Sequence, residues 1–236
     1  MSLNLSRKTV FVWAAVSIAG ALFALNLGGR GCAAGVGQKV FGKKDSAQAD
    51  EAEFNRMLSE AGDFKARERY PEAVAAFEAV IARWPARPEP YFHLGALYFK
   101  LNLPSRSEEY YLKAVELRFQ NPEIYFHVGY IKESALKFQD ALEWYLQAEE
   151  RGVDSAELFY NTGNVFARLG NQERAIEYYR KAVAVNPSHQ DAFVNLSILS
   201  FQSGQIADAE FYLDKARKLG YNPPAEYLQS LHQASR

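Results

Sequence analysis

Two histidines, His93 and His127, stand 34 residues apart, and the same spacing leads on to Asn161 and Asn195. An imidazole pair could hold part of a metal site, but zinc asks for three or four convergent ligands and no third follows in this register. A second row, Asn55, Glu89, Glu123, Glu157 and Asp191, keeps the same spacing. Its acids could attract a basic peptide, although an acid in a first helical turn is favoured by the helix dipole alone. Cys32 is the single cysteine, so neither an internal disulfide nor a cysteine-based metal site can form. There is no phosphate-cradling glycine loop, no nucleophile elbow and no run with metal-ligand spacing. Titratable groups follow a period instead of converging on one pocket. The expectation is therefore no catalytic residue, no metal and no cofactor.

That period defines the elements. Residues 54–223 divide into five blocks of 34 (54–87, 88–121, 122–155, 156–189 and 190–223) without insertion or deletion. The eighth position is small throughout: Ala61, Gly95, Gly129, Gly163, Ser197. So is the twentieth: Ala73, Ser107, Ala141, Ala175, Ala209. The twenty-fourth is large: Phe77, Tyr111, Tyr145, Tyr179, Leu213. Small residues at two fixed places let two antiparallel helices approach, and the large one fills space against the next pair. One pair cannot cover its apolar face, so pairs stack. Asn121-Pro122-Glu123, Ser155 and Ser188 are placed to cap first helices. Gly170 and Gly204 fall at the turn inside their blocks, with Asn102 in their place in the second, and Pro85 and Pro187 close two blocks.

In the fourth block, Phe159-x2-Thr162-Gly163-x2-Phe166, Ala175-x3-Tyr179, Ala182 and Pro187 resemble the tetratricopeptide repeat, as do Tyr91-x2-Leu94-Gly95-x2-Tyr98 in the second. The resemblance covers about 170 residues. It implies an all-α, right-handed superhelical solenoid of five helix-turn-helix repeats whose first helices line a groove for other polypeptides. On that expectation the partner-binding residues are Phe92, His93, Phe99, Phe126, His127, Tyr130, Tyr160, Asn161, Asn164, Asn195 and Phe201. The partner is another protein, bound as a helix or an extended segment, with self-association as a further option. The basic residues with which chaperone-binding members grip a terminal carboxylate are absent. The repeat domain extends over 46–223, because Ala, Gln, Asp and Glu in 46–53 prolong the first helix backwards. Residues 224–236 are expected to form a capping helix with Tyr227, Leu228 and Leu231 turned inward.

Ahead of the array, residues 1–9 form a basic tail and residues 10–27 an 18-residue stretch without charge. As a helix it spans roughly 27 Å, close to the hydrocarbon thickness. An uncleaved transmembrane anchor fits better than a cleaved signal at Gly31-Cys32-Ala33. It also fits better than a lipoprotein signal, in which Gly29 and Arg30 stand in the wrong places. Residues 28–45, rich in glycine and lysine, are expected to be a flexible linker. The first 44 residues carry +6 and the rest −7. A basic arm beside an acidic body suits a membrane and speaks against nucleic acid. The expected location is a bacterial inner membrane with the array in the periplasm. A cytoplasmic array is the nearly balanced alternative, because the positive-inside count favours it. The functional expectation is a membrane-anchored scaffold or adaptor for complex assembly; a stoichiometric subunit of a large membrane complex is the alternative.

Overall fold

The structure, a computed structural model, describes the backbone of residues 36–235 and the side chains of residues 46–235. The span expected at 10–27 and Cys32 lie outside the described residues. Within them no helix is long and apolar enough to cross a membrane. Eleven helices and no strand are present among the described residues. They are α1 (Val36–Ala66), α2 (Tyr70–Arg83), α3 (Glu89–Lys100), α4 (Pro104–Glu116), α5 (Glu123–Ser134), α6 (Phe138–Glu150), α7 (Ala156–Arg168), α8 (Gln172–Val185), α9 (Gln190–Gln202), α10 (Ile206–Lys218) and α11 (Ala225–Ala234). Helix α1 takes in residues 36–45, the second part of the stretch expected as a linker. Residues 48–236 make up one compact unit that holds all five repeats.

The helices α3 to α10 pack as antiparallel pairs within the expected blocks, and the second helix of each pair packs on the first helix of the next. In the first block, Ala61 of α1 and Ala73 and Phe77 of α2 share one core with Leu94 and Leu97 of α3. The chain is a helical-repeat solenoid.

Turn chemistry repeats with the period. The residues after the first helices, Glu68, Asn102, Leu136, Gly170 and Gly204, all have positive φ, between 56° and 79°. The N–H that follows reaches back into the helix: Arg69 to Phe64, Leu103 to Tyr98, Lys137 to Lys132, Asn171 to Phe166 and Gln205 to Ser200, at 2.8–2.9 Å. This is the left-handed helix stop that glycine adopts without penalty. Leu136 adopts it with a side chain that is 73% exposed and so gains little packing in return. Leu136→Gly is therefore expected to raise stability by about 1 kcal/mol. A higher urea midpoint would bear this out, and an unchanged one would mean that Leu136 packs in a way its exposure does not show.

After the second helices two solutions occur. Trp84 and Asn186 precede prolines, which bar helical backbone, and both have negative φ and positive ψ. At the equivalent place Arg118, Gly152 and Gly220 have positive φ. The next residues, Phe119, Val153 and Tyr221, donate to Ala114, Ala148 and Ala216 at 3.0 Å and pack into the core.

Two expected caps form: the Glu123 N–H donates to Asn121 Oδ1 at 2.9 Å, and the Leu158 N–H to Ser155 Oγ at 3.1 Å. The third does not. Helix α9 is capped by His189, whose Nδ1 accepts from the Ala192 N–H at 3.3 Å. The Ser188 N–H instead donates to Asn186 Oδ1, which holds the serine one residue too early. In α11, Leu231 is buried and Tyr227 reaches Ser197 Oγ at 2.7 Å, but Leu228 faces solvent at 38% exposure, against expectation. A ten-residue helix covered on one side only, by α9 and α10, has a narrow buried stripe, and Leu228 falls off its edge.

The small residues do two jobs. Ser107 Oγ donates to the Gly95 carbonyl at 2.8 Å, and in the fifth repeat Ser197 Oγ donates to the Ala209 carbonyl at the same distance. The eighth and twentieth positions therefore touch across these two pairs. The glycines also receive a ring. A methyl group on Gly95, Gly129 or Gly163 would lie 2.6, 2.5 or 2.7 Å from a ring carbon of Tyr111, Tyr145 or Tyr179 of the same repeat.

Candidate functional site

The first helices α3, α5, α7 and α9 present a wall, and the fully buried tyrosines at the twenty-fourth position form its floor. Phe92, Phe126 and Tyr160 lie against Tyr111, Tyr145 and Tyr179, with ring centroids 6.0, 5.9 and 5.7 Å apart. The floor tyrosines find different partners. Tyr145 donates to Glu133 Oε2 at 2.6 Å, and Tyr179 to Asn164 Oδ1 at 2.7 Å. Ala96 and Phe99 hold the corresponding places in the second repeat, and there the buried Tyr111 hydroxyl has no protein partner. Burial holds the Glu133 carboxyl above the usual carboxylate range, while the Tyr145 hydroxyl and the Arg168 charge pull it back.

Three pockets follow one another along this wall. The first, about 550 Å³, is lined by Phe99, Lys100, Asn102, Pro104, Tyr130, Ile131 and Ser134. The second, about 310 Å³, shares Tyr130 and Ser134 with it and adds Glu133, Leu136, Phe138, Asn161 and Arg168. The third, about 390 Å³, shares Glu133 and Arg168 and continues through Tyr160, Asn164, Ala167, Tyr179, Asn195, Ile198 and Leu199. Shared lining residues make the three one continuous groove from the second repeat to the fifth. Its end at the second repeat is the more apolar. Its far end carries amides, one carboxyl and one guanidinium.

Six of the expected site residues thus line the groove: Phe99, Tyr130, Tyr160, Asn161, Asn164 and Asn195. Phe92, His93, Phe126 and His127 sit half-buried in ring stacks, the phenylalanines on tyrosines of their own repeat and the histidines on rings of the repeat before. His93 lies on Phe77 and His127 on Tyr111, at 5.3 and 5.5 Å. Phe201 stands edge-on to Tyr227 of α11 at 5.7 Å, so the capping helix takes it up. Sequence reading leaves Glu133, Arg168 and Tyr179 out of the site. The twelfth and thirteenth positions, which hold Glu133 and Arg168, are the signal that could have found the first two. Asn195 Nδ2 donates to Asn164 Oδ1 at 3.3 Å, which ties adjacent repeats together across the groove floor. Among the described residues no group of three or more His, Cys, Asp or Glu is placed to hold a metal ion.

Comparison with known proteins agrees with this architecture. The family model described as tetratricopeptide repeat matches residues 58–122. The model of the cilia and flagella-associated protein 70 middle TPR-like domain matches residues 130–231. No curated protein matches the chain. A crystal structure of MamA is 23% identical, with a TM-score of 0.62 over 67% of this chain and 93% of that one. YrrB, described as a TPR protein with an unusual peptide-binding site, is 16% identical, with a TM-score of 0.65 over 82% of this chain and 97% of its own. Pseudomonas aeruginosa PilF is 17% identical, with a TM-score of 0.59 over 79% and 88%. At these identities the likeness is one of fold. Two tetratricopeptide-type models on separate stretches, a strict 34-residue period and this shared architecture give residues 54–223 the fold of a tetratricopeptide-repeat array.

Proposed function

We propose that the protein is a non-enzymatic scaffold that takes an extended segment of a partner protein into the groove along α3, α5, α7 and α9. The observation that carries this reading is the continuity of the three pockets through Tyr130, Glu133, Ser134 and Arg168. Such a groove runs on from the second repeat to the fifth, which suits a strand of polypeptide, and its amides at Asn161, Asn164 and Asn195 can pair with a backbone. The fold-level likeness to YrrB, described as having a peptide-binding site, supports the same reading. The uncharged stretch at 10–27 would tether the array to a bilayer, which makes the scaffold a candidate organiser of a membrane or envelope assembly. Its periplasmic or cytoplasmic side is open to a protease-accessibility measurement on native membranes.

Tyr130, 43% exposed and edge-on to Phe99 at 5.5 Å, and the exposed Arg168 are the probes of choice, because a charge there meets a ligand at the open side of the groove and not in its buried floor. Tyr130→Glu with Arg168→Glu is expected to weaken partner capture at least tenfold in crosslinking from native membranes, while helical circular dichroism stays that of the parent. Unchanged partners at unchanged folding would remove the groove from the account.

A further inference from the structure

The sixth position of the first helix contacts the twenty-fourth position of the preceding repeat, and what stands there changes along the chain. At the first two interfaces it is histidine. His93 lies on Phe77 at 5.3 Å and 26° and beside Phe92 at 5.3 Å. His127 lies parallel to Tyr111, at 5.5 Å and 2°, with Phe99 and Phe126 at 5.0 and 5.5 Å. Both Nδ1 atoms are buried and meet no hydrogen-bond partner. At the next two interfaces the residues are Asn161 and Asn195, which cannot take up a proton near neutrality.

We propose that the interfaces joining the first three repeats form an acid-sensitive hinge: protonation of His93 and His127 opens them, while those built on Asn161 and Asn195 stay closed. A proton on either Nδ1 creates a donor without an acceptor and a charge between rings. Attraction between an imidazolium and a ring returns less than burying an unpaired charge costs. Few groups near either ring can compensate. His93 faces Lys65 of α1, which opposes the charge, and Glu89 of its own helix, which favours it; Phe77 of α2 is neutral. His127 has Glu123 on its own helix, with neutral Tyr111 of α4 and Phe99 of α3 against it.

Burial, then Lys65, pushes the His93 imidazole down from 6.5 to about 4, and burial lowers His127 as well. A histidine lowered in the folded state contributes stability that is complete above pH 6.5 and is lost as pH falls from there toward 4. Between pH 7.5 and 5.0, His93 alone shifts the balance toward the open interface about 30-fold. Because repeats couple only to their neighbours, the opening stays local. It would disorganise the apolar end of the groove and leave the amide-rich end standing.

Hydrogen–deuterium exchange on the full chain, corrected for intrinsic rates, tests this. Peptides from α2 to α5 should open about 30-fold or more between pH 7.5 and 5.0, and those from α6 and α7, joined across the Asn161 interface, less than threefold. His93→Asn with His127→Asn, which copies the later repeats, should abolish the difference. Equal opening in both halves, or the same acid response in the double variant, would overturn the hinge. Should that variant fail to fold, the wild-type imidazoles decide by nuclear magnetic resonance: a folded-state His93 midpoint near 6.5 overturns it, and one near 4 supports it.

Discussion

Gly129→Ala is expected to lower the melting temperature by about 5–10 °C, the equivalent of about 2–3 kcal/mol in a domain of this size. Two effects of opposite sign compete. Replacing a mid-helix glycine by alanine ordinarily gains about 1 kcal/mol. Here the new methyl group would lie 2.5 Å from Tyr145 Cδ1, in a ring with no exposed surface whose hydroxyl is held by Glu133. The ring cannot withdraw without breaking that bond and pressing on the next repeat, so overpacking wins. Gly62→Ala is the control: nothing lies within 4 Å of its added carbon, and it should be neutral or stabilising. The fifth repeat shows what the remedy looks like, because Ser197 and Leu213 occupy the places of Gly129 and Tyr145. Gly129→Ser with Tyr145→Leu should recover at least half of the loss. If Gly129→Ala melts like the parent, the glycine has no role in seating the ring.

Phe77→Ala should cost about 3–5 kcal/mol, the range for emptying a large core site that cannot collapse. Phe77 has no exposed surface; it packs with Ala61, Ala73, Leu94, Leu97 and Tyr98 and carries the His93 stack. The loss should be local in a way that a globular core would not allow. With neighbour-only coupling, the first repeat should detach while the third to fifth keep their stability, so that one denaturant transition becomes two. Residues 50–54 give a direct readout. Asp50 accepts from Trp84 Nε1 at 3.0 Å, Glu51 pairs with Arg87 at 2.7 Å, Glu53 pairs with Arg83, and Phe54 stands edge-on to Trp84 at 5.4 Å. Tryptophan emission should report the release of this clamp in the first transition. A single unshifted transition would contradict the neighbour-coupled description.

The structure also reorders which groove residues are worth changing. By register alone Phe126 and Tyr160 look as available as Tyr130. In the fold both lean on buried tyrosines, and Tyr160 also stacks on His189 at 4.5 Å, so a charge there would disturb packing and binding together.

Much was legible before any coordinates. A 34-residue period with small residues at two places and a large one at a third admits few arrangements other than stacked helix pairs. Asn121, Ser155, Gly170, Gly204 and the two block-closing prolines act within a few residues of themselves, so local chemistry suffices to read them. What only the tertiary structure decided depends on contacts about a full repeat away. Ser188 and His189 are both plausible caps until Asn186 and Tyr160 compete for them. Leu228 fits an apolar stripe until the width of its neighbour is known. Leu136 accepts a glycine's backbone because the repeat demands a turn there whichever residue the chain supplies. His93 and His127 read as groove contacts until Phe77 and Tyr111 slide over them. A period specifies which positions are equivalent. The side chain that each position meets one repeat away is settled only when the helices pack.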